Sequence, residues 1–520
     1  MKVFTAAQLR EIDAYTIVNE PIESVSLMER AAAQLTGWYI RHFHTDRELV
    51  VLAGTGNNGG DALAMARMLA ERKYRVSCWL AGEEAKRSQD CRTNLERLKE
   101  QGLVPVYTWN PEGEFPGVGP GTVVIDGLFG SGLTRPLSGP VTKLVRFLNG
   151  SGATIISIDI PSGLATEDNS AADPDHIVQA EYTLTFQFPF LSMFFPENER
   201  FVGSWKVLDI GLHREIIRQL DSPYETTGRA VVRSLLPRRN RFAHKGSCGH
   251  ALLIAGSYGM MGAAILAGRA ALRSGAGLVS LHVPRLGYGI IQTAVPEALV
   301  SVDADDECFS GFGPLDAYSA IAAGPGLGTS AESAGALYQL ISEVKVPLVL
   351  DADALNILAQ NKTWLDGLPA GTILTPHPRE FERLTGFRGN SYDRLQAAMK
   401  FAVASNVIIV LKGAWTCIAL PDGRCLISTT GNPGLATGGT GDVLTGIIVA
   451  LLAQGLTPPD AAVAGTFLHG LAGDLAAEKH GIFSMLAGDL PELIGEAWKK
   501  IMEKPVERKG FRGGVLSISD

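Results

Sequence analysis

The stretch ELVVLAGTGNNGGDALAMARMLAERK, residues 48–73, decides the fold of the first half of the chain. It begins with an apolar run that lacks polar alternation, which is typical of a strand buried on both faces of a parallel sheet. A glycine-rich turn (54–61) and a helical stretch follow directly. Gly54, Gly56 and Gly59 fit the GxGxxG spacing, which places backbone N–H groups at a helix N-terminus where a phosphate can bind. The pattern predicts a Rossmann-like α/β domain with a ligand site at this turn.

Apolar strands and helical stretches alternate through both halves of the chain. In the first half, the further strands are predicted at 75–80, 122–127, 153–160, 182–186 and 205–211. In the second half, strands are predicted at 250–256, 278–283, 320–324, 347–353, 372–375 and 407–413, with a hairpin at 416–429. The polar stretch 213–230 separates the halves. We therefore predict two α/β domains, residues 1–224 and 225–505, each a three-layer αβα sandwich around a doubly wound sheet.

Length and composition agree with two globular domains. The chain has 520 residues, whereas single cores stop growing at about 250–300 residues. The net charge of −8 argues against a nucleic-acid partner, which usually requires a basic face. We find no membrane span and no signal peptide. The six cysteines include no CxxC pair, so they are read as reduced thiols of a cytoplasmic protein.

Three acidic residues of the first half stand at or just beyond strand ends. Asp61 closes the glycine turn, Asp126 begins DGLFGSGLTRP, and Asp159 begins DIPSGL. The carboxyl ends of parallel strands meet at one edge of a sheet, where ligands bind. A single aspartate there usually only caps a helix or a turn. Three of them beside glycine loops, together with Asn58 and Ser162, favour a hard cation with oxygen ligands.

These motifs, in this order, resemble the NAD(P)H-hydrate epimerase family (the YjeF N-terminal domain) over about residues 1–215. The resemblance implies a K+ ion held by Asn58, Asp126 and Ser162, and makes Asp159 the acid–base group at C6 of the hydrated ring. It also implies that the hydrate contacts two segments and Asp159. These residues are Asn57, Asn58, Gly59, Gly60, Asp61, Gly130, Ser131, Gly132, Leu133, Thr134, Arg135, Pro136 and Asp159.

The second half carries its own glycine motif, GGTGD at residues 438–442, directly before the apolar helix VLTGIIVALLAQG. Backbone N–H groups at such a helix start can stabilise a developing phosphoryl charge. Asp442 can orient and deprotonate an attacking hydroxyl, since phosphoryl transfer depends mainly on positioning and charge neutralisation. The alternative is a simple helix cap, because aspartate is favourable in a first turn. The motif has the anion-binding arrangement of ribokinase-like folds.

With HKGSCGHALLIAGS, RSGAGLV, GPGLG, DADALN, TPHP and LKGAWT, the motif closely resembles the NAD(P)H-hydrate dehydratase family over about residues 228–500. The resemblance implies a ribokinase-like αβα domain that uses ADP, with Mg2+. The hydrate would contact Ala263, one or both of Gly326 and Gly328, His377, and the catalytic Asp442. The nucleotide would contact two segments: Lys412, Gly413, Ala414, Trp415 and Thr416, then Gly438, Gly439, Thr440 and Gly441.

The combined resemblance implies a bifunctional repair enzyme. The first half would interconvert the R and S forms of NADHX and NADPHX, and the second would dehydrate the S form while converting ADP to AMP and phosphate. We expect a cytoplasmic homo-oligomer that binds these small molecules and ADP or ATP, without nucleic acid or membrane partners. The main alternative is a ribokinase-like small-molecule kinase fused to a nucleotide-binding module. A nicotinamide oxidoreductase is disfavoured, because no acidic ribose ligand follows the second strand.

Overall fold

The computed structural model describes residues 1–237 and 239–503. The chain divides into two compact units, and the division falls between Ser222 and Pro223. The boundary expected between residues 224 and 225 falls inside a short strand of the second unit, Tyr224–Thr227. The expected end of the second domain, residue 505, lies outside the described residues. No helix in the described ranges is both long and apolar enough to span a membrane.

The N-terminal unit contains a seven-stranded parallel sheet. Its strands are β1 (Glu48–Ala53), β2 (Arg75–Leu80), β3 (Val106–Thr108), β4 (Val123–Gly127), β5 (Thr154–Ile158), β6 (Tyr182–Phe186) and β7 (Ser204–Leu208). They lie in the order β3-β2-β1-β4-β5-β6-β7, and all neighbours pair in parallel. The order reverses between β1 and β4, which is where ligands bind in open sheets of this kind.

Helices cover both faces of this sheet. They are α1 (Ala6–Asn19), α2 (Ser24–His42), α3 (Asn57–Glu71), α4 (Gln89–Gln101), α5 (Val141–Gly150), α6 (Glu199–Val202) and α7 (Arg214–Gln219). Apolar residues of α2, α3 and α4 pack on one face, and those of α5 pack on the other. The predicted Rossmann-like αβα sandwich is confirmed.

The C-terminal unit contains a ten-stranded sheet. Its strands are β8 (Tyr224–Thr227), β9 (His250–Ile254), β10 (Leu278–Val283), β11 (Leu299–Val302), β12 (Ala320–Ala323), β13 (Leu348–Leu350), β14 (Ile373–Leu374), β15 (Ile408–Leu411), β16 (Cys417–Ala419) and β17 (Cys425–Ser428). The order is β11-β10-β9-β12-β13-β14-β15-β16-β17-β8. Only β16 runs against its neighbours, because it forms the predicted hairpin with β17. The strand order reverses between β9 and β12.

Helices also cover both faces of the second sheet. They are α8 (Arg229–Leu235), α9 (Met261–Arg273), α10 (Tyr288–Ala294), α11 (Ala331–Glu343), α12 (Asp353–Gln360), α13 (Pro378–Thr385), α14 (Ser391–Ser405), α15 (Thr440–Ala453), α16 (Pro458–His480) and α17 (Asp489–Met502). The layer of α9, α15, α16 and α17 packs on one face, and that of α11 to α14 on the other. The αβα prediction for this half is also confirmed.

Candidate active sites

The glycine turn of the first unit is shaped by its contact with the loop that follows β4. A Cβ atom on Gly54 would lie 1.9 Å from the carbonyl oxygen of Leu128, so only glycine permits this approach. Gly56 then takes the N-cap position, and α3 begins at Asn57. The turns after β1 and β4, which are neighbouring strands, therefore meet at the carboxyl edge of the sheet.

A cavity of about 520 Å³ opens beside these two turns. Its walls include most of the residues predicted to contact the hydrate: Asn57, Asn58, Asp61, Gly130, Ser131, Gly132, Leu133, Thr134, Arg135 and Asp159. The predicted Gly59, Gly60 and Pro136 are not among the lining residues. Gly59 and Gly60 are buried in the first turn of α3 instead.

Asp159 is held in an unusual backbone conformation at this cavity. Its φ of 66° lies in the left-handed region, and its N–H donates to the carbonyl of Leu184 at 2.7 Å. Strained conformations of this kind concentrate at functional sites. The Oδ2 atom accepts the N–H of Ser131 at 2.9 Å. Burial raises the pKa of Asp159. The carboxyl group therefore retains a proton at higher pH than an ordinary aspartate does.

Asp126 and Ser162 lie behind the cavity in a fully buried cluster. The Ser162 hydroxyl donates to Asp126 at 2.5 Å, and the hydroxyl of Ser157 donates to it at 2.8 Å. Burial raises the pKa of Asp126, against these hydrogen bonds, which lower it. Asn58, which lines the cavity, donates through Nδ2 to the carbonyl of Ile158 at 3.3 Å. Its buried Oδ1 atom has no hydrogen-bond partner among the described residues.

The C-terminal site also lies at a point where the strand order reverses. Gly326, after β12, has a φ of 61°, and a Cβ there would lie 2.9 Å from the carbonyl oxygen of Met260 and 3.0 Å from the Ala263 Cβ. The Ser257 hydroxyl donates to the Gly326 carbonyl at 2.9 Å, which ties the turn after β9 to the turn after β12. Gly328 donates its N–H to an Asp353 carboxylate oxygen at 2.9 Å. The predicted Ala263 and Gly326 are thus neighbours.

Asp442 stands in the first turn of α15, beside an ion pair between the buried Asp351 and the half-buried Lys412. Lys412 Nζ lies 2.9 Å from Asp351 Oδ1, and Thr445 donates to Asp351 Oδ2 at 2.8 Å. A Cβ on Gly441 would lie 3.4 Å from Lys412 Nζ, so the GGTGD loop passes directly over this pair. No described residue forms a hydrogen bond or ion pair with the Asp442 carboxylate.

The charges of this cluster favour an ionised Lys412–Asp351 pair. Burial opposes the charge of Asp351, but Lys412 holds the pKa of that carboxyl below its usual value. Burial likewise opposes the charge of Lys412, and Asp351 together with Glu380 raises its pKa. Burial first, and then the charge of Asp351, raises the pKa of Asp442 to about 6, against the lowering effect of Lys412. Asp442 is therefore a carboxylate poised to accept a proton near neutral pH.

His377 caps α13 at the same edge. Its Nδ1 accepts the N–H of Arg379 at 3.1 Å, and its Nε2 lies 3.2 Å from Glu380 Oε1. The Glu380 side chain accepts the backbone N–H of His377 at 2.8 Å and lies 3.9 Å from Lys412 Nζ. His377, Glu380 and the half-buried Lys412 therefore form one chain of polar contacts.

Comparisons with known proteins cover nearly the whole chain. A family model described as NAD(P)H-hydrate dehydratase matches residues 251–496, and one described as YjeF-related protein N-terminus matches residues 24–191. A protein of Moorella thermoacetica named bifunctional NAD(P)H-hydrate repair enzyme Nnr is 35% identical over 97% of this chain and 98% of its own length. The chain belongs to this repair-enzyme family.

The comparisons also find a second repair enzyme and a solved structure. The Escherichia coli protein of that name is 34% identical over 85% of this chain and 84% of its own length. A solved structure, an ADP/ATP-dependent NAD(P)H-hydrate dehydratase of Bacillus subtilis co-crystallised with ATP and Mg2+, is 34% identical. It covers 53% of this chain and 98% of its own, with a TM-score of 0.45. The family favours repair over the small-molecule kinase considered from the sequence.

The remaining predicted residues of the second site surround the Lys412 cluster. Gly413, Ala414, Trp415 and Thr416 form the turn between β15 and β16, where the Thr416 hydroxyl donates to the Gly413 carbonyl at 3.1 Å. Gly438 and Gly439 precede α15, and Thr440 and Gly441 begin it. The structure thus gathers both predicted nucleotide segments at one edge of the sheet.

Several polar residues at these sites were not predicted from the sequence. Asp13 of α1 lines the N-terminal cavity. At the C-terminal site, Asp351 and Glu380 lie beside Lys412, and Thr445 donates to Asp351. His469 of α16 is half-buried, and its Nε2 lies 2.9 Å from the Thr440 carbonyl. Burial lowers the pKa of His469 to about 4, so it is neutral and donates that hydrogen bond. The sequence could have identified Asp351 as a site residue, because this residue begins the DADALN motif at a strand end.

Proposed function

We propose that this chain repairs hydrated nicotinamide cofactors. The N-terminal unit interconverts R and S NAD(P)HX, and the C-terminal unit dehydrates the S form with ADP as the phosphoryl donor. The observation that carries the proposal is the position of Asp442. Its unpaired carboxylate stands at the start of α15, where the GGTGD loop passes over the Lys412–Asp351 pair.

The C-terminal site has the groups that phosphoryl transfer requires. Asp442 accepts the proton of the C6 hydroxyl, whose oxygen attacks the terminal phosphoryl group of the nucleotide. Lys412 and the N–H groups at the start of α15 face the negative charge that develops on that group. Lys412 keeps its charge because Asp351 raises its pKa.

Phosphorylation converts a poor leaving group into a good one. When the C6–O bond breaks, phosphate leaves and the N1 lone pair forms a C6=N1 bond. Loss of a proton from C5 then gives the C5=C6 double bond of NAD(P)H. Ala263, Gly326 and His377 lie on the loops and helix starts of the same edge, and we assign the hydrate to them.

Mg2+ fits this site as an ion that arrives on the nucleotide phosphates. Among the described residues no group of three His, Cys, Asp or Glu side chains could hold a metal, and Mg2+ commonly binds through phosphates, waters and one or two carboxylates. Asp351 is occupied by Lys412 and Thr445, so Asp442 and Glu380 are the other nearby carboxylates that could complete the coordination of the Mg2+ ion. The ion would neutralise phosphate charge during transfer.

K+ fits the N-terminal unit for a different reason. The Oδ1 atom of Asn58 is buried without a partner, and a carboxylate, an amide and a hydroxyl are oxygen ligands suited to a hard cation. Asn58, Asp126 and Ser162 would hold the ion, which would supply fixed positive charge at the cavity wall. Asp159 would exchange protons with the C6 hydroxyl of the hydrate. The cytoplasmic location and the homo-oligomeric state remain predictions from the sequence.

The deciding experiment supplies R and S NADHX separately, with ADP or ATP, and follows the absorbance of NADH. Asp442→Asn should abolish the formation of NADH from both forms, because each form must be dehydrated by the C-terminal unit. Asp159→Asn should slow recovery only from R. Full activity of Asp442→Asn would refute the catalytic assignment. Phosphorylation of a hydroxymethylpyrimidine-type substrate without NADHX dehydration would establish the kinase alternative instead.

A further inference from the structure

Three carboxylates line the N-terminal cavity, and two of them lack a partner. Asp159 accepts the N–H of Ser131 at 2.9 Å. Asp13 and Asp61 form no hydrogen bond and no ion pair with any described residue. Burying a carboxylate without a hydrogen-bond or ion-pair partner costs free energy. Two such groups on one cavity wall therefore indicate that they bind a ligand or react with it. A second observation agrees: Asn58, only 9% exposed, has an unpartnered Oδ1 atom on the same wall.

Asp13 differs from the other two acids in its origin, and it differs from Asp61 in its access to water. Asp61 and Asp159 come from the carboxyl edge of the sheet, whereas Asp13 comes from α1, which precedes the sheet. Asp61 is only 9% exposed, and Asp13 is partly exposed. A carboxyl group that water can reach is able to exchange its proton between turnovers.

Electrostatics support a shared proton in this cavity. Burial, and then the charge of Asp159, raises the pKa of Asp13 to about 6, and burial raises the pKa of Asp159 as well. Two nearby carboxylates repel each other, so the state in which the pair carries a single proton is favoured. Asp61 is the third acid of the cavity wall, and burial, then the charges of Asp159 and Asp13, raise its pKa as well. The other charged side chains of the wall, and those of α7, which packs against α1, are Arg10, Arg135, Arg214, Glu215 and Arg218.

We propose that Asp13 is the second acid–base group of the epimerase and acts with Asp159 on C6 of the hydrate. The inference rests on the epimerase function proposed above. Inversion at C6 needs a proton donor when the old hydroxyl leaves and a proton acceptor when the new one arrives. Asp159 can fill one of these roles, and Asp13 fills the other.

The step balances without any further reactant. One carboxylic acid gives its proton to the C6 hydroxyl, the C6–O bond breaks, and water leaves as the N1 lone pair forms a C6=N1 bond. A water molecule then adds to the opposite face of C6, and the C6=N1 electron pair returns to N1. The excess proton of that water passes to the other carboxylate. One water leaves and one enters, so the epimer has the composition of the substrate.

The test uses the full-length chain and purified R-NADHX with excess ADP, and compares Asp13→Asn with Glu11→Gln. Glu11 is an exposed acid on the same helix, so it controls for the loss of one negative charge. We expect Asp13→Asn to lower kcat for R about 100-fold or more, as for loss of a general acid or base, with little change in KM. Glu11→Gln should match the wild type, and Asp13→Glu should recover part of the rate. Use of S-NADHX should be unchanged throughout.

The outcomes separate the two proposals. If the wild type uses R no faster than the uncatalysed conversion to S, the epimerase function itself is wrong. If the wild type is active and Asp159→Asn is slow but Asp13→Asn keeps its kcat, only the role of Asp13 is wrong. A raised KM with an unchanged kcat, or a lowered unfolding temperature with no recovery in Asp13→Glu, would make Asp13 structural and overturn the inference.

Discussion

Replacing Asp442 with asparagine should abolish dehydration and, at neutral pH, make the C-terminal unit more stable. The pKa of Asp442 is raised from 3.8 to about 6, first by burial and then by the charge of Asp351. Ionising this carboxyl therefore costs more in the folded chain than in the unfolded chain. Above about pH 6 the wild type carries that cost in full, and asparagine does not.

The size of the effect follows from the pKa shift. A rise of about two units at about 1.4 kcal/mol each sets a ceiling of about 3 kcal/mol. Because the side chain is partly exposed and solvent screens the charges, we expect about 1–2 kcal/mol. For a unit of this size that corresponds to a rise of about 2–6 °C in Tm. The gain should shrink as the pH falls below about 6, be about a third of its full size at about pH 4.5, and vanish below the unfolded pKa of 3.8, where both states bind the proton.

Calorimetry of the full chain at about pH 7.5 and about pH 4.5 tests this, with the C-terminal transition assigned by its shift with ADP. Asp393→Asn is the matched control, because Asp393 is an exposed acid in the first turn of α14. It should give no gain in Tm and no loss of activity. A lower Tm for Asp442→Asn at about pH 7.5, or an equal gain at both pH values, would refute the role assigned to burial and neighbouring charge.

Three further changes test other parts of the structure. Asp351→Asn removes the carboxylate 2.9 Å from Lys412 and leaves only Glu380 at 3.9 Å, so it should cost about 1–3 kcal/mol of unfolding free energy. Adding Lys412→Met should recover part of that loss, and an unchanged Tm would contradict the ion pair. Gly54→Ala should disrupt the N-terminal cavity and epimerisation, whereas Gly56→Ala, where a Cβ meets nothing within 4 Å, should be tolerated; equal effects would show that the close approach is unimportant. Asn58→Leu should remove the difference between epimerase rates in K+ and Na+, and a wild type indifferent to K+ would exclude the proposed ion site.

The strands that the sequence did not predict all lie at sheet edges. They are β3 of the first sheet, and β8 and β11 of the second. An edge strand has a neighbour on one side only and is partly exposed, so it needs no continuous apolar run. β8 even lies within the polar stretch that was interpreted as the division between the halves. The interior strands were predictable because burial on both faces demands apolar residues at every position.

Local sequence therefore determined the two α/β domains, the glycine turns and their place after particular strands, because hydrophobic runs and turn residues act over a few neighbouring positions. Only the tertiary structure decided which charged groups meet. Asp13 reaches the cavity of Asp159 from a helix far earlier in the chain, and Asp351 pairs with Lys412 across the sheet. Such pairings, and the pKa values that follow from them, depend on burial and on distances between segments remote in sequence, which no local pattern encodes.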